Sequence, residues 1–372
     1  MYKRIKKIIL LLIVPFLLCG CWDERIVENT GFITFLGIES SSTGGFNLTY
    51  GVPSIDSTTR AIAEIIDTSA SLLRIGRNKL KLQSSKTIEA GKIQFLVYSK
   101  ELAEKYPVFK VNEVFERDPS NPVLAWVAVV DGSPKDLFHV ALGYKDKPRP
   151  SLYITGLLDR AAANAYTPET RIFDFDIKSF APGIDNIAPF IKFNSKAVEV
   201  HGSALFSSGK MVGTINPQET GLLIAMMKTL KQKKYTYIAS SASRDFNSTK
   251  HGLAIQIGQN SKKIIISIKD NKPVVDIYLD LNGYISEYKL GNLNDEKEVK
   301  KLNNHIQGEL QRSCQKLITT LQEMDSDPIG IGDMIRAKHN NYFKKVVWHE
   351  VYKTAIITAH VKFNIIEYGA MQ

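Results

Sequence analysis

Along this chain, short apolar runs of period two alternate with apolar stripes of period three to four, and their order predicts an α+β protein. Gly31 to Ile38 and Phe46 to Val52 have strand character on either side of a Ser41-Ser42-Thr43-Gly44-Gly45 turn. Thr58 to Leu73 predicts a helix, because Ile62, Ile65, Ile66, Ala70 and Leu73 fall on one side. A short strand at Ile93 to Tyr98 precedes a helix at Val108 to Phe115, which ends at the Arg117-Asp118-Pro119 breaker. Leu124 to Val130 is almost continuously apolar, as in a strand covered on both faces. A helix over Leu152 to Ala165 and strands over Ile172 to Phe180 and Ala188 to Phe193 complete the first half.

The pattern sharpens from Ala197. Ala197 to Phe206 and Met211 to Ile215 flank Ser207-Ser208-Gly209-Lys210 and predict a β-hairpin, and a helix over Pro217 to Leu230 follows. Val275, Ile277, Leu279 and Leu281 alternate with polar residues, and so do Ile357, Ala359, Val361, Phe363 and Ile365, which predicts two strands with one wet face each. Between them, Val299, Leu302, Ile306, Leu310, Cys314, Leu317, Leu321 and Met324 form one stripe of a long helix, with lysines, glutamates and glutamines on the opposite face. The fold class is α+β, with mixed sheets and helices packed on one side. A leader over 1–20 precedes three regions, 21–148, 149–196 and 197–372.

The leader changes the picture. Lys3, Arg4, Lys6 and Lys7 precede an apolar run from Ile8 to Leu18, then Cys19, Gly20 and Cys21. Eleven helical residues span about 16 Å, against about 30 Å for a hydrocarbon core, so the run fits a cleavable signal sequence. Leu18-Cys19-Gly20-Cys21 resembles a bacterial lipobox, which marks Cys21 for diacylglyceryl attachment. Cleavage would leave Cys21 and Cys314 as the remaining cysteines, with no disulfide framework. The formal net charge of +10 contains the four leader cations, leaving a net charge of +6 for the rest, suited to a solvated surface or to anionic headgroups. Nucleic acid is not indicated, for want of an Arg-rich run, aromatic-basic interleaving or zinc-finger spacing.

Candidate chemistry is sparse. Asp325-Ser326-Asp327-Pro328-Ile329-Gly330 opens like a calcium loop, but Ile329 and Arg336 stand where oxygen ligands belong. Asp327-Pro328 is better read as the stop of the long helix, with Gly330 and Gly332 shaping a turn and Asp333 capping the next helix. His349-Glu350-Val351-Tyr352-Lys353 lacks the second histidine of a zinc motif and places His349 at a surface or strand end. Asp174 and Asp176 lie two apart on the expected strand at Ile172 to Phe180 and would share its wet side. Cys314 belongs to the apolar stripe, where a thiol is inert. No nucleophile elbow, phosphate loop or dinucleotide fingerprint occurs, so no catalytic, cofactor or metal residue is assigned.

Gly20-Cys21-Trp22-Asp23-Glu24-Arg25, Gly31-Phe32-Ile33 and Leu36-Gly37-Ile38-Glu39 resemble the N-terminus of the Ger(x)C lipoproteins, the C subunits of spore nutrient germinant receptors. Arg117-Asp118, Gly202-Ser203-Ala204-Leu205-Phe206, Lys210-Met211-Val212-Gly213, Asp327-Pro328-Ile329-Gly330-Ile331-Gly332, Trp348 and Gly369 follow in the family's order. Gly330-Ile331-Gly332 departs conservatively from the family's Gly-Leu-Gly. The resemblance implies a three-domain α+β fold and a non-enzymatic germination subunit, with its acyl chains on Cys21 in the outer face of the spore inner membrane. It implies partners in an integral-membrane A subunit and a transporter-like B subunit, with the nutrient sensed by B. On the residues alone, a solute-binding or cell-wall-active envelope lipoprotein stays open.

Overall fold

The most apolar strands form the middle of a large sheet, because only a central position hides both of their faces. The computed structural model describes residues 29–54, 63–117, 122–228, 230, 235–239, 253–288 and 295–367. The leader, Cys21, Trp22 to Arg25, Asp118 and Gly369 lie outside them.

The first half begins with β1 (Thr30–Phe32), β2 (Phe35–Ser40), β3 (Phe46–Pro53) and β4 (Ala63–Ala70), then α1 (Leu73–Gln83). Next come β5 (Thr87–Glu89), β6 (Phe95–Ser99), α2 (Lys100–Lys105), α3 (Val108–Arg117) and β7 (Trp126–Val130). After these stand α4 (Pro134–Leu142), α5 (Pro150–Ala163), α6 (Ile172–Phe180), β8 (Ile187–Phe193), β9 (Val198–Ser207) and β10 (Lys210–Ile215). Eight strands join in the order β10-β9-β8-β7-β6-β2-β3-β4, while β1 pairs separately with β5. The inner strands β2, β6, β7 and β8 run parallel. The ladder continues across residues 149 and 197, since β8 pairs with β7 on one side and β9 on the other.

Both faces of this sheet are covered. Leu36, Leu96, Val127 and Val129 pack with Val108 and Phe115 of α3 and Phe175 of α6. Phe35, Phe95, Val97 and Trp126 pack on the other side with Leu137 and Phe138 of α4 and Ile154 and Leu158 of α5. One-sided cover describes the second sheet instead. It contains β11 (Tyr235–Ala239), β12 (Leu253–Lys269), β13 (Lys272–Tyr288) and β14 (Ile356–Glu367), in that order. Its inner residues Val275, Ile277, Leu279, Ala359, Val361 and Phe363 meet α7 (Pro217–Met227) and α8 (Glu296–Glu323) in one core. Three short helices, α9 (Ile331–Lys338), α10 (Asn340–Phe343) and α11 (Trp348–Tyr352), link α8 to β14.

Two expected elements are corrected. Residues 63–70 form the edge strand β4 rather than part of a helix, paired antiparallel with β3. Ile65 and Ile66 point to opposite, separately buried faces of the sheet, so their adjacency mimicked a helical stripe. Conversely, Ile172 to Phe180 is a helix, with Ile172, Phe175 and Asp176 buried at steps of three and four. Asp176 is therefore not on a wet strand face: it is 2% exposed and accepts from Asn112 Nδ2 at 2.9 Å.

The polar side of α8 is likewise more than a wet face. Asn303, Gln307, Gln311 and Gln315 lie along the free edge of β14. The Oε1 atoms of Gln315, Gln311 and Gln307 accept from the N–H groups of Ala359, Val361 and Phe363 at 3.0, 2.7 and 3.1 Å, and Asn303 Oδ1 accepts from Ile365 N at 3.1 Å. In return Gln315 donates to the Ile357 carbonyl at 3.0 Å, Gln311 to that of Ala359 and Asn303 to that of Phe363 at 2.9 Å. Four residues of helix rise about 6 Å and two of strand about 6.6 Å, so amides at i, i+4 keep step with alternate strand residues. The helix thereby caps an edge that would otherwise be open to another strand.

Candidate functional site

The strongest convergence of polar groups in the described residues lies where the long helix ends. Asp325 has φ +54° and turns the chain out of α8. Ser326 and Asp327 then drop into the junction between the two sheets, both at 0% exposure. Ser326 Oγ donates to the Phe206 carbonyl of β9 at 2.7 Å. The Asp327 backbone N–H donates to Asp185 Oδ2 at 2.9 Å, and the Asp185 N–H returns a bond to the Asp327 carbonyl at 2.9 Å. Asp185 sits in the loop before β8, so this reciprocal pair joins the halves of the chain.

Four N–H groups converge on the Asp327 carboxylate. Gly330 and Ile331 donate to Oδ1 at 2.9 and 3.1 Å, and Gly332 and Trp348 Nε1 donate to Oδ2 at 2.9 and 3.1 Å. Burial pushes this carboxyl up to about 7, against the N–H donors, which favour the ionised form. Burial also raises the Asp185 carboxyl, although the Asp327 and Ser208 N–H groups bond to it and His349 lies near. Asp327, not Asp333, thus satisfies the free N–H groups that open α9. Asp333 lies within that helix and pairs with Arg336 at 2.7 Å, while its N–H donates to the Gly183 carbonyl at 2.7 Å.

Close approach explains the glycines. Gly330 has φ +75°. A Cβ on Gly332 would stand 2.4 Å from Trp348 Nε1. The motifs found at separate places in the sequence meet here. The Lys210-Met211-Val212-Gly213 strand lies against the helix end, where a Cβ on Gly213 would be 2.6 Å from Met324 Sδ. Ser203 and Thr220 share a hydroxyl bond at 2.9 Å behind the hairpin. Ile331, at the departure from the family's leucine, is buried in the core of the second half.

His349 rims the cluster. Its Nδ1 is 3.2 Å from Asp325 Oδ1, and its Nε2 is 3.9 Å from Asp185 Oδ1 and 3.5 Å from Ser208 Oγ. Lys353 Nζ, where a zinc motif would need histidine, is 3.2 Å from Asp325 Oδ2. The sequence pointed to Asp327 and His349 but not to Asp185, whose one signal is the Pro182-Gly183-Ile184-Asp185-Asn186 turn. Asp174 and Asp176 do not join the cluster. Cys314 is wholly buried in the helix stripe, and burial pushes its thiol up to about 12. Among the described residues no group of three or more His, Cys, Asp and Glu could hold a metal ion, and no helix is long and apolar enough to cross a membrane. The arrangement is a lock between two packed bodies, made of one carboxylate, its backbone cradle and an indole.

The motifs at this lock place the chain among known proteins. The spore germination protein N-terminal domain matches residues 23–193, and the spore germination B3/GerAC-like C-terminal domain matches residues 201–369. Spore germination protein GerQC of Bacillus cereus is 23% identical over 364 residues, covering 97% of this chain and 96% of that protein. Spore germination protein B3 of Bacillus subtilis (strain 168) is 23% identical over 385 residues, covering 99% of each. The crystal structure of the GerBC protein superposes with a TM-score of 0.57 at 19% identity, covering 89% of this chain and 97% of that one, and shares the α+β fold. With both domain matches in sequence order and relatives aligned along the whole length, the chain belongs to the Ger(x)C family of spore germination proteins.

Proposed function

We propose that this chain is the lipid-anchored C subunit of a spore nutrient germinant receptor, a non-catalytic protein needed for assembly or signalling of the receptor. The observation that carries the proposal is the end-to-end likeness to spore germination proteins, which begins at residue 23, two residues after the lipobox cysteine. A diacylglyceryl group on Cys21 would hold the chain on the outer face of the spore inner membrane, since two acyl chains anchor stably where one does not. The tether concentrates the domains beside membrane partners, here the A and B subunits. An exposed apolar stripe on α6 suits such a partner: Phe173, Ile177 and Phe180 are 53%, 53% and 67% exposed and lie one turn apart.

The test is made in spores. Radiolabelled palmitate should enter the parent chain and not the Cys21→Ala variant, and a tagged parent should co-purify with polytopic subunits. Palmitate entering the variant overturns the anchor, and purification of the parent alone overturns the receptor subunit.

A further inference from the structure

The helix α1 has a composition at odds with a soluble surface. Its charged residues are Arg74, Arg77, Lys79 and Lys81, with no acid among them. Leu73, Gly76 and Leu80 face the sheet and are buried. The outer side carries Ile75 at 40% and Leu82 at 88% exposure, with Leu72 at 60% just before the first turn. Helical spacing places Ile75, Lys79 and Leu82 on one strip and Arg74 and Lys81 alongside it. Beyond the helix, Lys86 and Lys92 extend the charge, and Glu89 is the one acid between residues 72 and 92. Six cations and exposed leucines thus share one short surface segment.

A cleft adjoins the helix. It has a volume of about 170 Å³, a rim of Arg74, Arg77 and Lys81, and a floor that includes Leu36, Ile93 and Phe115. Cations over an apolar floor match an anionic headgroup with the first part of its chain.

Topology sets this surface beside the N-terminal exit. β1 pairs with β5, Gly31 against Ile88, so the chain enters the described fold next to the segment that follows α1. Thr30 comes nine residues after Cys21. Even fully extended, nine residues reach about 30 Å. We infer that α1 lies on the surface of an anionic bilayer, with Ile75 and Leu82 among the headgroups and Arg74 and Lys81 on the lipid phosphates. The inference rests on the lipid-anchor reading for the tether, while the charge and the exposed Ile75 and Leu82 belong to the helix.

The test uses the full lipidated chain in vesicles of phosphatidylglycerol and phosphatidylcholine, and of phosphatidylcholine alone. An environment-sensitive fluorophore is placed on Leu82→Cys, with a second on Val212→Cys on the opposite edge strand. Cys314 is buried and does not compete for the label. In the anionic vesicles the probe at position 82 shifts to the blue and is quenched by brominated acyl chains, whereas the probe at 212 is unchanged. Arg74→Glu with Lys81→Glu returns the first probe to water while the protein still sediments with the vesicles. A position-82 probe that stays in water on sedimenting protein overturns the inference and leaves the anchor standing. An equal response in phosphatidylcholine alone overturns the anionic-lipid assignment. A chain that does not sediment at all fails both the tether and the helix contact.

Discussion

The amide ladder between α8 and β14 gives a sharp perturbation, Gln311→Ala. Gln311 makes two bonds to the strand, donating to the Ala359 carbonyl and accepting from the Val361 N–H at 2.7 Å. A neutral hydrogen bond is worth about 1 kcal/mol net, so the two contribute about 2 kcal/mol. Part of that is offset by side-chain entropy, because a half-ordered glutamine regains up to about 1 kcal/mol when it is removed. The net loss is about 1 to 1.5 kcal/mol. Gln311→Ala with Gln315→Ala should lose less than the sum of the two single losses, because each single change leaves an Ala359 backbone group unpaired at an edge the other amide still holds closed, whereas removing both opens that edge to water. Urea unfolding monitored by circular dichroism reads the loss as a lower midpoint at unchanged slope. Arg312→Ala, on the exposed side of the same helix, is the control and should stay within about 0.5 kcal/mol. If Gln311→Ala matches Arg312→Ala, the ladder contributes nothing and helix packing alone covers the edge.

Asp327 predicts a pH effect. Its carboxyl stands at about 7 when folded against 3.8 as a free group, so the folded state holds the extra proton between those values. Stability is then fully present below about 4 and is lost as pH rises through about 7, by about 4 kcal/mol at most. Asp327→Asn removes this slope, and urea midpoints at pH 5 and pH 8 compare the two proteins; parallel profiles would refute the assignment. Gly332→Ala pushes a methyl group against the Trp348 indole and should destabilise by about 1 to 3 kcal/mol, visible as a lower thermal midpoint and altered tryptophan emission. Cys314 should resist iodoacetamide at pH 8 in the folded protein and react once unfolded in urea, as mass spectrometry would show, since its thiol is both buried and pushed up to about 12.

Much of the fold was legible where one period dominated a segment. The stripe from Leu302 to Leu321 lies in the core as its spacing requires. The strands β13 and β14 alternate in register, Val275 opposite Ile357 and Leu281 opposite Phe363. The hairpin at Ser208-Gly209 adopts the positive φ values, +50° and +81°, that its turn residues suggested. Legibility failed where a segment served two faces at once. The adjacent isoleucines of β4 fill two separate cores, and a period count cannot tell that from one helical face. In α6 the alternation of Phe173, Phe175 and Ile177 imitates a strand, because two of those three side chains are left exposed.

The same division holds for the candidate site. The sequence by itself determined the long helix and the turn chemistry of Asp327 to Gly332, because each is local and depends on neighbouring residues. Only the tertiary structure decided that Asp327 pairs with Asp185, 142 residues away along the chain. It also decided that Trp348 closes the carboxylate cradle, and that the glutamines of α8 serve a strand edge rather than water. A buried carboxylate needs several donors, and no short segment can supply them all. They come from wherever packing brings the chain back, and one-dimensional spacing does not record that.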